Sequence, residues 1–496
     1  MVGGSRVCYY TMIIILQGAS SMRLQSAVLL ACLCSLACGV GVHAADAAKT
    51  SKPNILFILA DDLGWGDLGC YGNQQIKTPN LDKLARQGTM FTQFYVNASV
   101  CSPSRVAFSS GQYPARWAIH GHLSSHDKNA RRGMPDQLDP AAPMISRQLQ
   151  QVGYVTGHFG KWHLGGIPAA RYGFDESKLF AGPPPNYPEQ KTDPDFWAHS
   201  TDLFVDAAID FVNRHHDQGK PFYVNLWTFL PHAPIRPTEE QLEPYNRFRS
   251  NSPPFTSPWR AYYAAVTSVD SAIGRLLDRL DELGIADNTL VLFSSDNGPE
   301  AMEISNARHS GVGSPGPLRG RKRSLYDGGV RMPFIVRWPG HVPAGRVERA
   351  SVVAAVDFFP SLSAITGAPV PDGYAGDGED VSDIWLGASR ARKGPLMWEW
   401  RYRVFGHVVN RSPILSIRDG RWKLLMNPDH SRVELYDMAA SARELDNVAG
   451  QHEDVVKQLS ERVLKWQKTL PDSPFDTDAG QANYHGPAPE MPEAFD

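Results

Sequence analysis

Two stretches far apart in the chain share one pattern, and that pattern constrains the fold more than any other feature. In PNILFILADDLGWGDLGCYG, residues 54–60 are apolar almost without interruption and stop at Asp61-Asp62; in NTLVLFSSDNG, the run Thr289–Phe293 leads to Asp296-Asn297. A strand with one wet face alternates apolar and polar residues, whereas a continuous apolar run belongs to a strand covered on both faces, as in a parallel sheet. The second strand follows a stretch in which Val266, Val269, Ile273, Leu276, Leu277, Leu280 and Leu283 recur at helical spacing, with Gly284 as its stop. NLDKLARQG at 80–88 predicts another helix, with Asn80 as cap and Gly88 as stop. Strand–helix–strand alternation predicts an α/β fold with an open sheet, whose ligand sites lie at the carboxyl ends of the strands.

The length of 496 residues predicts one large and one small domain. A net charge of -3 excludes a whole-molecule nucleic-acid binder, so any bound anion must be held by a local group of cations. From Met22 the chain reads as a secretory signal ending in Val-His-Ala, with cleavage after Ala44. Residues 1–44 are therefore expected to direct export to the periplasm or outside the cell, the true start being Met22. Lipidation at Cys38 is the alternative, and no later stretch reads as a spanning helix of an integral membrane protein. Four cysteines (Cys8, Cys32, Cys34, Cys38) fall in that segment, leaving Cys70 and Cys101. A disulfide framework is thus excluded, a single Cys70–Cys101 bridge stays open, and CxxC spacing for structural zinc is absent. The main domain is expected over 51–390, with loops at 181–200 and 231–258. A small α+β subdomain with an antiparallel sheet is expected over 391–470, carrying a hairpin at Asp419-Gly420 and a helix at 452–469, followed by a Pro- and acid-rich tail at 471–496.

Asp61, Asp62, Asp296 and Asn297 are hard oxygen donors that suit Ca²⁺, or Mg²⁺, better than zinc. Either pair alone is an ordinary turn former; two pairs at the ends of two strands of one sheet point to a metal. Lys161 and His163 in GKWHLG, His232 in FLPHAP and Lys322 in LRGRKR lie in Gly- or Pro-flanked loops. In VNASVCSPSRVAFSSGQ, Ser102 is expected as N-cap, Pro103 as first helical residue, Arg105 in the first turn and Gly111 as stop. A thiolate at such a helix end would be activated. A cysteine hydrolase and a buried structural cysteine both stay open on local sequence, although Ala107 stands where a cysteine phosphatase loop needs Arg.

Cys-Ser-Pro-Ser-Arg at 101–105 followed by Gly111 resembles the motif of the formylglycine-dependent (type I) sulfatases of the alkaline phosphatase superfamily. TPNLDKLARQG, GKWHLG, PHAP, SSDNG, LRGRKRSLYDGGVRMP and RDGRWKLL look like further blocks of that family in family order. Within it the chain looks most like the N-acetylgalactosamine-6-sulfatase and arylsulfatase A group. The block VELYDMAASARELDNVAG keeps the Leu-Tyr-Asp start and departs from the family in lacking the following Asp-Pro.

The resemblance implies an alkaline phosphatase-like fold, a large mixed, mostly parallel sheet between helices. It implies that a formylglycine-generating or sulfatase-maturing enzyme oxidises Cys101 to Cα-formylglycine. Asp61, Asp62, residue 101, Asp296 and Asn297 would bind one Ca²⁺; Arg105, Lys161, His163, His232 and Lys322 would bind sulfate and move protons. One hydroxyl of the hydrated aldehyde, deprotonated with help from Asp296 and the metal, would attack sulfur. The other would lose its proton to His163 and expel sulfate, while His232 or Lys322 protonates the leaving alcohol. The implied substrate is a sulfated carbohydrate of glycosaminoglycan or algal galactan type, for instance 6-O-sulfated galactose or N-acetylgalactosamine.

A phosphatase or phosphodiesterase of the same superfamily would need a second metal and Ser or Thr at 101; a glycan-binding protein without turnover stays open. Trp117, Trp162, Trp227, Trp398 and Trp400 are candidates for sugar stacking, with core packing the default for each. His120, His122, His126, Arg401 and Arg403 are candidate substrate contacts, with a surface loop as the alternative.

Overall fold

The computed structural model describes residues 52–181, 193, 195–249, 257–301 and 309–483. The expected export segment, residues 182–192, 194 and 250–256 of the two predicted loops, and the tail after 483 lie outside the described residues.

Nine strands form the large sheet: β1 (Asn54–Ala60), β2 (Thr89–Tyr95), β3 (Val155–Lys161), β4 (Glu176–Phe180), β5 (Phe222–Trp227), β6 (Thr289–Ser295), β7 (Arg331–Arg337), β8 (Arg346–Glu348) and β9 (Val353–Ala354). Their order is β4-β3-β5-β1-β6-β7-β2-β8, with β9 also pairing β2. From β4 to β6 every neighbour is parallel; β7 is antiparallel to both β6 and β2. The principal helices are α1 (Pro79–Gln87), α2 (Cys101–Ser110), α3 (Ile145–Gln151), α4 (Phe196–Asp217), α5 (Pro258–Glu282), α6 (Phe358–Thr366) and α7 (Glu453–Gln467). Among the described residues no helix is long and apolar enough to cross a membrane.

The continuous apolar runs serve two cores at once. Ile55, Phe57 and Leu59 of β1 join one core with α2, α3 and α6, while Leu56, Ile58 and Ala60 join the other with α1, α4 and α5. Strand β6 divides in the same way, Leu290 and Leu292 to one side and Val291 and Phe293 to the other. Successive strand side chains point to opposite faces, so a strand covered on both has no position left for a polar residue. Apart from Asn54 and Thr289 at their starts, β1 and β6 turn polar only at their carboxyl ends.

One predicted helix start and one predicted loop are corrected. Pro79 takes the first position of α1, where its missing N–H costs nothing, and Thr78 is the cap. The backbone N–H groups of Asn80 and Leu81 instead donate to Asp270 of α5, at 3.1 and 2.8 Å. The loop expected over 181–200 gives way at Phe196 to α4, whose Phe204, Val205, Ala208, Phe211 and Val212 form a buried stripe at helical spacing.

The second sheet is antiparallel throughout, in the order β10 (Leu396–Glu399), β11 (Leu415–Asp419), β12 (Trp422–Met426) and β13 (Val433–Asp437). The predicted hairpin joins β11 and β12 through Gly420, whose φ of 53° is left-handed. Leu415, Ile417, Leu424 and Met426 pack with Leu459 and Val463 of α7, while Leu396, Trp398, Leu425 and Tyr436 enter a core of the large sheet. A buried ionic group also ties the sheets together. Lys423 Nζ of β12, fully buried, donates to Asp327 Oδ1 at 2.7 Å, lies 2.8 Å from Glu444 Oε1 and donates to the Leu325 carbonyl at 2.8 Å. Asp327 Oδ2 accepts from Tyr95 of β2 at 2.8 Å and from Arg331 of β7 at 3.2 Å.

Candidate active site

The predicted groups meet at the carboxyl ends of the parallel strands, as the topology requires. Asp61 and Asp62 follow β1, Asp296 and Asn297 follow β6, Lys161 ends β3, and His232 lies in the loop after β5. Cys101 opens α2 and is 2% exposed; Arg105, one turn on, is completely buried. The expected N-cap is corrected here: Val100, in extended conformation, precedes the helix, so residue 101 is already its first member. Ser102 Oγ instead accepts the Leu123 N–H at 3.0 Å, fixing the segment after α2 against its first turn. Gly111 stops α2 with φ 66°, and a Cβ there would collide with Tyr374 and Phe359.

One carboxylate oxygen or sulfur each from Asp61, Cys101 and Asp296 lie within 4.8 Å of one another. A second such group, Asp61, Asp62 and His232, shares Asp61 with the first, so both belong to one centre. Arg105 Nη2 donates to Asp296 Oδ2 at 2.7 Å and lies 3.5 Å from Asp61 Oδ2, while Nη1 donates to the Lys161 carbonyl at 3.0 Å. Lys161 Nζ donates to Asp61, and Lys322 Nζ donates to both oxygens of Asp62 at 2.7 Å. Asn297 Nδ2 donates to Asp62 Oδ1 at 2.6 Å, and His232 Nε2 lies 3.8 Å from Asp62 Oδ2. His163 Nε2 hydrogen-bonds the Leu123 carbonyl at 3.0 Å, leaving Nδ1 buried without a partner. Asp62 (φ 63°), His163 (φ 53°) and Arg323 (φ 72°) all hold left-handed backbone, strain of order 1–3 kcal/mol each that surrounding contacts must hold in place.

The donor set fits a hard cation. Asp61 Oδ1 and Asn297 Oδ1 are buried acceptors with no hydrogen-bond partner, a costly state that a cation would relieve. Burial and the neighbouring Asp61 charge push the Asp296 carboxyl well above its ordinary range, against the pull of Arg105. Burial works the same way on Asp61, but Lys161, His232, Arg105 and Lys322 outweigh it and hold that carboxyl low. Burial, then Lys161, lowers His163 to about 3; burial, then Lys161 and Lys322, lowers His232 to about 4. Burial opposes the charge on Lys322, yet Asp62 and Glu300 raise it above the usual lysine range.

The sulfatase family's sequence model matches residues 53–368, well over half of the chain. The chain belongs to the sulfatase family. It is a sulfate-ester hydrolase, and residues 321–469 match a second family, described as N-sulphoglucosamine sulphohydrolase, C-terminal. The sulfatase is 32% identical to bovine arylsulfatase A over 418 residues, covering 77% of this chain and 76% of that protein. It is 33% identical to dog N-acetylgalactosamine-6-sulfatase over 383 residues, covering 70% of this chain and 68% of that protein. A crystal structure of Ps i-CgsB in complex with k-i-k-neocarrahexaose superposes with a TM-score of 0.72 at 27% identity, covering 87% of this chain and 96% of that one.

The ten residues expected to bind metal or sulfate or to move protons lie in or against this cluster. Two charged neighbours were missed. Glu300 carries Lys322 at 3.6 Å and a two-pronged pair with Arg323, whose Nη2 donates at 3.1 Å. Burial opposes its charge, but Arg323 and Lys322 hold it at about 2. Glu300 stands just past SSDNG and Arg323 just past Lys322, so adjacency to two motifs was the available signal. The five tryptophans go to packing: Trp162, Trp227, Trp398 and Trp400 are buried, and Trp117 packs against the core. His120 and Arg401 are buried on Glu399, His126 pairs with Asp136 and Arg403 with Asp478. His122 alone of these is coupled electrostatically to His163 and Lys322.

Proposed function

We propose that this sulfatase removes sulfate monoesters from a carbohydrate of glycosaminoglycan or algal galactan type, with 6-O-sulfated galactose or N-acetylgalactosamine as the sugar. The observation that carries this reading is the buried Asp61–Cys101–Asp296 group with Arg105 across it. The sugar class rests on relatives named N-acetylgalactosamine-6-sulfatase and on the neighbour solved with a neocarrahexaose. Asp61, Asp62, residue 101, Asp296 and Asn297 would hold Ca²⁺, which when bound adds positive charge at the sulfate and at the nucleophile. Oxidation of Cys101 to Cα-formylglycine by a maturing enzyme would supply two hydroxyls on one carbon after hydration. One is for attack on sulfur and the other for expelling sulfate without a second nucleophile.

The remaining roles follow from charge. Arg105, Lys161 and Lys322 face a stable anion with pre-aimed positive charge in a dry site, where it acts more strongly than in water. His163, lowered to about 3, is neutral at working pH and therefore available as a base. Of the two candidates for the leaving-group acid, Lys322 holds its proton under the charges of Asp62 and Glu300, whereas His232 is lowered to about 4. Lys322 is accordingly assigned that role. The export signal over 1–44 and the division at residue 390 complete the reading.

Peptide mass spectrometry across residue 101 of protein from its native host tests it: an aldehyde or its hydrate is expected, and an intact thiol would overturn the mechanism. EGTA is expected to remove activity and lower the melting temperature, calcium restoring both better than magnesium. An ion at 1,000 times its Kd adds roughly 4 kcal/mol to the native state. His163→Ala should lower kcat by about 10²–10⁴-fold with little change in KM. Because a lowered histidine pKa keeps the neutral base populated on the acid side, kcat of the parent should show no acid limb near pH 6.5. A limb there would remove His163 from the base role.

A further inference from the structure

Arg132 follows the short helix His126–Arg131 and is half-buried. Among the described residues no carboxylate lies within 4.0 Å of it. Its guanidinium lies over the Tyr402 ring, 5.0 Å from the centroid, and Nη1 makes one long hydrogen bond, 3.4 Å, to the His122 carbonyl. A guanidinium has five N–H donors in a rigid fork. The fork thus rests over an aromatic ring, and among the described residues most of its donors have no protein acceptor. Asp476 is the carboxylate acting on this half-buried cation, and it does so without a direct contact.

The neighbourhood is the active site. His122 adjoins Leu123, whose N–H donates to Ser102 Oγ at 3.0 Å and whose carbonyl bonds His163 Nε2 at 3.0 Å. The His122 ring makes no hydrogen bond among the described residues, and Arg132, His163, Arg323 and Lys322 are the charges acting on it. Arg323 comes from the Lys322 loop, its backbone N–H on the Ser99 carbonyl at 2.9 Å and its side chain on Glu300. Arg132 and Arg323 also act on each other, two like charges brought together by distant segments of the chain.

We propose that Arg132, supported by His122 and Arg323, forms a second anion-binding subsite beside the sulfate-ester centre, taking a sulfate or carboxylate elsewhere on the same glycan. The proposal rests on the sulfated-carbohydrate reading above. A planar fork held against an aromatic ring is suited to bidentate capture of either group. The sulfatase then prefers a sugar carrying more negative charge than the ester it cleaves.

Binding is measured by calorimetry in a Cys101→Ala background, so that turnover does not enter. The probes are N-acetylgalactosamine 6-sulfate, N-acetylgalactosamine 4,6-disulfate, and the 6-sulfated sugar joined to a uronic acid. At least one of the two doubly charged probes should bind about tenfold or more tightly than the monosulfate, the effect of one or two charge-assisted hydrogen bonds. Which one does so identifies the second anion as sulfate or carboxylate. Arg132→Gln should remove that gain and leave monosulfate affinity within about twofold. Arg132→Lys, which keeps the charge without the fork, should recover part of it, and decides the matter if the Gln variant does not fold. Equal binding of all three probes by the parent, or equal weakening of all three by either variant, overturns the subsite. Failure to bind even the monosulfate overturns the carbohydrate reading, and the subsite with it.

Discussion

Cys101→Ala is expected to abolish turnover and leave the fold in place. Loss of a nucleophile that acts as one unit with its neighbours costs about 10⁴-fold or more in kcat. The substitution deletes a single buried sulfur, worth roughly 1 kcal/mol in a protein whose cores fill both faces of a nine-stranded sheet. Arg105→Ala supplies the contrast. It would leave Asp61 and Asp296 buried without the cation between them, at a cost of about 3–5 kcal/mol, so activity and stability should fall together. Cys101→Ser refines the test: a serine can attack sulfur but has no second hydroxyl to release it, so the enzyme should stop after one turnover carrying one SO₃ group. Assay on an aryl sulfate, thermal melting and intact mass read all three. Retained activity in the Ala variant sinks the assignment of residue 101.

Lys423→Met is expected to be the most destabilising single change away from the site. Its ammonium is fully buried against Asp327 and Glu444, and removal leaves two carboxylates facing each other between the sheets, again about 3–5 kcal/mol. The same group makes the joint sensitive to pH. Burial raises the Glu444 carboxyl from 4.5 to about 7; Lys423 pulls the other way and the Asp327 charge adds to the rise. A carboxyl raised in the folded state binds its proton more tightly there than in the unfolded chain. Its contribution is therefore full below pH 4.5 and lost as pH rises through about 7, at up to about 1.4 kcal/mol per pH unit. In denaturant unfolding between pH 5 and 8, the stability of the parent relative to Glu444→Gln should fall as pH rises. Parallel curves for parent and variant would remove Glu444 from the account.

What the sequence disclosed follows from which constraints are local. β1 and β6 were legible to within two residues because burial on both faces forbids polar side chains until the strand ends, and the ends are the site. Gly111 and Gly284 marked helix ends because the left-handed turn there favours glycine. The start of α2 was misplaced because Ser102, an apt cap, is used instead by Leu123, a partner in space that spacing along the chain does not reveal. Glu300, Arg132 and Lys423 were passed over for the same reason. Each is one charged residue among many until the fold shows whether it is paired, and with what. The ten candidate residues lie together in the structure, though local sequence alone left several of them as turn formers or surface groups.

The near-complete enclosure of Cys101 has a bearing on when the protein can be made competent. At 2% exposure, with α2 pinned by Leu123 and Gly111 closed over by Tyr374 and Phe359, no second enzyme can bring its own catalytic groups to that sulfur once the chain has folded. On the proposed maturation, oxidation of residue 101 would therefore have to win a race against folding. Molecules that folded first would then stay silent, and the specific activity of a preparation would record the outcome of that race as much as the quality of the site.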